Sequence, residues 1–141
     1  MNVICKICAE EPDSHYFKKI AERRGISTFY MKPSMSKLYK DTEGILSHLD
    51  NALAQLQGKK WIIILDGDGF DIRHATEIST GKGMLELIMN KYGATLVEFK
   101  LINPSWHMKS ILKLSDDNLT EDFKSKLTVI DDRVCNVFQF M

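Results

Sequence analysis

Residues Trp61 to Leu65 (Trp-Ile-Ile-Ile-Leu) form an unbroken apolar run that ends in the turn cluster Asp66-Gly67-Asp68-Gly69. A strand with one wet face alternates apolar and polar side chains. A strand with no polar position must be covered on both faces, which places this run near the centre of a largely parallel sheet. A second strand, Leu96 to Ile102, follows and is closed by Asn103-Pro104. The stretch between them has helical character and the length a right-handed crossover needs, so the two strands read as a β-α-β unit. The rest of the chain has to pack around that unit.

At 141 residues the chain is expected to form a single domain, because one core suffices for this length. Apolar residues make up 44% and charged residues 27%, which excludes the disordered and fibrous classes. Nineteen basic residues balance nineteen acidic ones, so no net field recruits nucleic acid, and none is expected as a partner. No apolar run reaches membrane-spanning length, and the first residues lack the apolar core of a signal peptide. A cytoplasmic protein is expected. The three cysteines, an odd number, point to free thiols in a reducing compartment.

Taken in order, Val3 to Ala9 reads as a first strand. Asp13 or Ser14 caps an expected helix through Arg24, with Tyr16, Phe17, Ile20 and Ala21 at helical spacing and Gly25 as its stop. Ile26 to Tyr30 has strand composition, and Met31 to Lys40 reads as a loop. Asp41 or Thr42 opens the clearest helix, with Ile45, Leu46, Leu49, Ala52, Leu53 and Leu56 on one face and Gly58 at its end. A polar segment, Arg73 to Lys82, leads to a short helix from Met84 to Tyr92 that is apolar on nearly all sides. In the strand Leu96 to Ile102, Glu98 and Lys100 make one face partly wet, which suggests a place toward an edge. Ser105 caps a helix through Leu114, a turn or two surrounds Phe123, Lys126 to Ile130 forms a strand, and Val134 to Phe140 reads as a last one.

Two patterns invite sharper chemistry. Cys5-x-x-Cys8 is half of a zinc site, but His15, His48, His74, His107 and Cys135 offer no second close pair, and the motif does not sit at a helix start as a redox pair would. Small buried thiols are the reading, with no metal and no cofactor expected. Asp66, Asp68 and Asp71 could hold magnesium at a strand end, faintly like a haloacid-dehalogenase-type phosphatase. However, Phe70 replaces the threonine of that pattern and the strand comes in mid-chain. Turn residues that bond their own backbone explain the three aspartates more simply, so no catalytic residue is assigned.

From Trp61 to Ile130 the chain resembles the CRAL-TRIO lipid-binding family, in particular its divergent branch found with GTPase-activating and other signalling proteins. The matching residues are Leu65-Asp66-x-x-Gly69, a helix ending in Tyr92, Leu101-Ile102-Asn103-Pro104-Ser105-Trp106, the helix His107 to Leu114, and Leu119 to Phe123 leading into Lys126-Leu127-Thr128-Val129-Ile130. Asp41-Thr42-Glu43-Gly44 looks like the family's Asp-x-x-Gly. The resemblance implies an α/β fold with a mixed, mostly parallel sheet and β-α-β crossovers, related to STAS architecture. It implies one such domain over 1–141, without the helical N-terminal module or the usual C-terminal end.

The resemblance also implies non-enzymatic binding of a lipid or other hydrophobic small molecule in an apolar pocket gated by the helix 106–114. The residues it points to are Leu85, Met89, Phe99, Leu101, Trp106, Met108 and Leu112, with His107 and Lys109 as headgroup contacts. Transient membrane contact fits that reading. The alternative on the same fold is a protein-interaction module without a working pocket, meeting its partner through apolar surface near Trp106. A STAS-like regulator and a metal-dependent phosphatase are more distant alternatives.

Overall fold

The computed structural model describes residues 5–140. Its elements run α1 (Lys6–Glu10), β1 (Phe17–Arg23), β2 (Ile26–Met31), α2 (Thr42–Ala54), β3 (Trp61–Asp66), α3 (Ile72–Ala75), α4 (Ile78–Asn90), β4 (Leu96–Ile102), α5 (Trp106–Ser115), α6 (Glu121–Lys126) and β5 (Leu127–Ile130). Short 3-10 turns lie at Pro33–Met35, Asp116–Asn118 and Val137–Phe140. One sheet holds all five strands in the order β1-β2-β3-β4-β5; β1 and β2 are antiparallel and every other neighbouring pair is parallel.

The apolar run is β3, third of the five strands, with Trp61, Ile63 and Ile64 at 0–1% exposure. The indole N–H of the buried Trp61 donates to the Tyr92 carbonyl at 3.1 Å, which removes the penalty of hiding that donor. Successive parallel strands joined by helices of one hand put those helices on one side. Phe29, Trp61, Ile63, Phe99 and Leu101 accordingly pack in one cluster with Ile45, Leu49 and Leu53 of α2, Met84 and Ile88 of α4, Met108 of α5 and Phe123 of α6. On the opposite face Tyr30, Ile64 and Ile102 meet Cys135, with Tyr16, Ile20, Ile130, Val137 and Phe140 packed alongside. The last residues of the chain, not a helical layer, close that face.

Several expectations need correction. Val3 and Ile4 lie outside the described residues, Cys5 stands just ahead of helix α1, and Lys6 to Ala9 of the expected first strand are in that helix. The expected helix from Asp13 to Arg24 is strand β1, which joins β2 through the two-residue turn Arg24-Gly25. Both turn residues have positive φ, 54° and 77°, the twist a tight hairpin requires. The pairing register slips between Lys19 and Ala21. That irregularity breaks the period-two pattern and leaves a spacing that mimics a helix.

Helix α4 begins at Ile78, inside the segment read as polar linker, and its first buried residue is Thr80, bonded to Thr42 at 2.7 Å. Strand β4 is not an edge, because β5 pairs beyond it. Its two charges instead face the second side, where Lys100 lies 3.5 Å from Glu98 and 4.2 Å from the centre of the Phe140 ring. Val134 to Phe140 is not a strand; it ends in a 3-10 turn.

Candidate functional site

The parallel strands β2, β3 and β4 all end at the same side of the sheet, the side where open α/β sheets place their ligands. A cleft of about 740 Å³ opens there. Its walls are Tyr30 and Lys32 at the end of β2, Asp66 to Gly69 at the end of β3, Asn103 to Ser105 after β4, and the chain from Asp131 to Val137. The lining includes four charged residues in two pairs, Lys32 with Asp68 at 3.4 Å and Arg133 with Asp132 at 3.8 Å.

Asp66, 5% exposed, is the centre of the polar network beneath the cleft. It accepts hydrogen bonds from Tyr30 Oη at 2.6 Å, from Asn103 Nδ2 at 3.1 Å and from the backbone N–H of Asp68 at 3.0 Å. Burial, reinforced by the carboxylate beside it, pushes the Tyr30 phenol far above its ordinary range, so the hydroxyl remains a donor to Asp66. Asn103 adopts φ of 48°, a left-handed conformation that asparagine tolerates better than most residues, just ahead of Pro104. Its amide then clasps the Cys135 backbone from both directions: Nδ2 donates to the Cys135 carbonyl at 2.9 Å, and the Cys135 N–H donates to Oδ1 at 2.8 Å. The Asn-Pro pair therefore ends β4 and ties down the segment that closes the second face.

Gly67 allows these parts to approach. A side chain there would meet the Asn103 carbonyl at 2.8 Å and the Met108 sulfur at 2.9 Å. The three aspartates of the β3 turn diverge instead of forming one centre. Asp68 is exposed, 3.4 Å from Lys32, and Asp71 caps α3 while Arg73 holds its carboxyl down at about 2. Asp66 bonds the backbone two residues on, as a turn aspartate does.

The residues singled out from the sequence fall in two places. Phe99, Leu101 and Met108 are buried in the helix-side cluster, and Leu85, Met89 and Leu112 are half-buried against it, so six of the seven come together. Trp106 is 73% exposed, with its ring 5.1 Å from that of His107. His107 is half-buried and Lys109 exposed, both in the first turns of α5 beside Ser105 of the cleft wall. None of the seven apolar residues lines the 740 Å³ cleft. Tyr30, Lys32, Asn103 as a clasp and Cys135 were not singled out from the sequence as site residues. The one local signal for them was Asn103-Pro104, whose partners lie at the end of β3 and in the segment after β5.

A family model for the CRAL/TRIO domain matches residues 26–141, from the start of β2 onward. The chain belongs to the CRAL/TRIO domain family. Members of this family in general bind lipophilic small molecules and carry them without catalysis. The five-stranded, mostly parallel sheet with its crossover helices is the CRAL/TRIO architecture in this chain. No curated protein matches the chain. No helix of the described residues is long and apolar enough to cross a membrane.

Proposed function

We propose that this CRAL/TRIO domain is a non-enzymatic binder of a lipid or other hydrophobic small molecule, with α5 as the gate of an apolar pocket. The observation that carries the reading is the weak anchoring of α5 above a cluster of large, pliable side chains. Helices α2 and α4 each bury three residues, whereas α5 buries Met108 alone and leaves Trp106 and Leu114 73% and 83% exposed. Leu112 of α5 packs with Leu85, Met89, Phe99 and Leu101 in the same closed cluster, so a ligand enters only when α5 swings away. The polar cleft at the N-terminal end of α5 then receives the head of an amphiphile, with His107 and Lys109 at its rim. Contact with a membrane surface during loading follows from the exposed Trp106.

A second reading rests on the same packing. With the six side chains closed together and Trp106, Val134 and Phe138 exposed at 73–90%, the domain has the surface of a protein-interaction module. Native mass spectrometry after incubation with mixed phospholipid vesicles separates the two. A stoichiometric bound lipid, abolished by Leu112→Trp with the fold retained by circular dichroism, supports the gated pocket. Uptake indifferent to Leu112→Trp overturns the gate, and a clean protein mass overturns the pocket and favours the interaction module.

A further inference from the structure

The N-terminal corner of the molecule, far from the cleft in sequence, gathers two thiols and two imidazoles at one point. Cys5 stands at the start of α1, Cys8 lies within α1, His15 lies two residues before β1, and His48 projects from α2. The Cys5 sulfur lies 3.5 Å from His15 Nδ1, and the Cys8 sulfur lies 3.7 Å from His15 Nδ1 and 3.6 Å from His48 Nδ1. All four ligand atoms fall within 4.8 Å of one another. A tetrahedral zinc ion, with Zn–S near 2.3 Å and Zn–N near 2.0–2.1 Å, separates its sulfur and nitrogen ligands by about 3.6 Å. The three measured edges straddle that value.

The far side of each ring is arranged to match. His48 Nε2 is 3.1 Å from the Phe17 carbonyl, which can only accept, so Nε2 carries the proton and Nδ1 turns its lone pair to the thiols. His15 Nε2 is 2.8 Å from the Asp41 carboxylate, which imposes the same tautomer. A histidine that ligates a metal through one nitrogen typically donates its other N–H to a carboxylate or a carbonyl. His15 is also 2% exposed, so its orientation is locked by packing. Gly44 makes room for this arrangement, because a side chain there would come within 2.8 Å of His15 Nε2.

Hydrogen bonding alone does not account for the convergence. Two thiols supply two protons, whereas the sulfurs make four approaches: Cys5 and Cys8 to His15 Nδ1, and Cys8 to His48 Nδ1 and, at 3.9 Å, to the His15 carbonyl. Cys8 thus has one proton for three acceptors. One cation satisfies all four lone pairs.

We propose that Cys5, Cys8, His15 and His48 form a zinc site of the Cys₂His₂ type. Two sulfur and two nitrogen ligands in tetrahedral array select zinc among the common divalent ions. Four protein ligands leave no open position for substrate water, so the site is structural. On binding, each thiol releases its proton to solvent and the sulfur donates a lone pair to the ion. The ion ties α1 and the connection before β1 to α2, clamping the β1 edge of the sheet. Three of the four ligands precede Ile26, where the family match begins, so the clamp is built mainly from residues outside that match.

The test uses the full chain, purified under reducing conditions without added metal. Elemental analysis is expected to find one zinc per chain. After removal of that zinc by a chelator, titration with cobalt(II) is expected to give the intense d–d bands of a tetrahedral site and a thiolate-to-cobalt charge-transfer band. Cys8→Ser and His48→Gln should abolish the tetrahedral spectrum, while Cys135→Ser leaves it unchanged. Asp41→Asn keeps an N-cap for α2 but removes the charge behind His15, and should weaken zinc binding about 10–100-fold. Substoichiometric zinc in the wild-type protein together with no tetrahedral cobalt spectrum would overturn the proposal, whatever the variants do. So would a spectrum that survives both Cys8→Ser and His48→Gln.

Discussion

The two faces of the sheet are closed by different means. On one, four helices deliver Ile45, Leu49, Leu53, Met84, Ile88, Met108 and Phe123 onto Phe29, Trp61, Ile63, Phe99 and Leu101. On the other, the buried members of the cluster among the described residues are Tyr30, Ile64, Ile102 and Cys135, beside the polar row of Glu98, Lys100 and Thr128. The first face is covered because each crossover connection must run over it. The second is covered by whatever the ends of the chain bring, and here that is a short C-terminal segment held by one asparagine. Stability resides on the helix side, and adaptability at the cleft and the C-terminal segment.

Four substitutions probe that asymmetry, in falling order of effect. Trp61→Ala removes the largest fully buried side chain of the helix-side core and should lower unfolding free energy by about 3–5 kcal/mol in denaturant titration. A loss under about 1 kcal/mol would remove the distinction between the faces. Asn103→Ala deletes the Cys135 clasp and puts a residue ill suited to positive φ in its place, for an expected loss on the order of 2–3 kcal/mol. Hydrogen exchange should then rise at Cys135 while Ile63 and Leu101 stay protected. Equal loss of protection across the sheet would mean that the C-terminal segment is part of the main cooperative unit. Phe140→Ala removes the ring under Lys100 and should cost about 1 kcal/mol.

The smallest effect concerns pH. Burial, ahead of its charged neighbours, lowers the His74 pKa from the ordinary 6.5, and its Nδ1 accepts the Asp71 N–H at 3.1 Å, a bond only the neutral ring can make. Because the folded value lies below the unfolded one, this contribution is complete above pH 6.5 and declines as pH falls below it toward the folded pKa. His74→Gln retains an acceptor at that position and should flatten the decline. Stability curves that keep the same slope below pH 6.5 in the variant would assign the pH dependence to other groups.

Much of the fold was legible where the pattern was local. The five-residue apolar run identified the central strand, the stripe from Ile45 to Leu53 identified α2, and Ser105 capped the helix it precedes. The misreadings share one cause. In β1 a slip of register disguised a strand as a helix, and in α4 the N-terminal turns carry Thr80 and two glycines, whose helical state rests on contact with Thr42 and Leu46. Neither is visible in spacing along the chain.

By itself, then, the sequence determined the parallel centre of the sheet, the crossover helices that cover one face, the Asn-Pro ending of β4 and the family to which these belong, because each depends on near neighbours or on a short ordered set of motifs. Tertiary structure alone decided what meets across the chain. It set Asn103 against Cys135, Tyr30 against Asp66, and Cys8 against a histidine forty residues on, on a different helix. The physical reason is that hydrogen bonding and coordination act over a few ångströms of space, and only the packed sheet brings such distant residues within that reach.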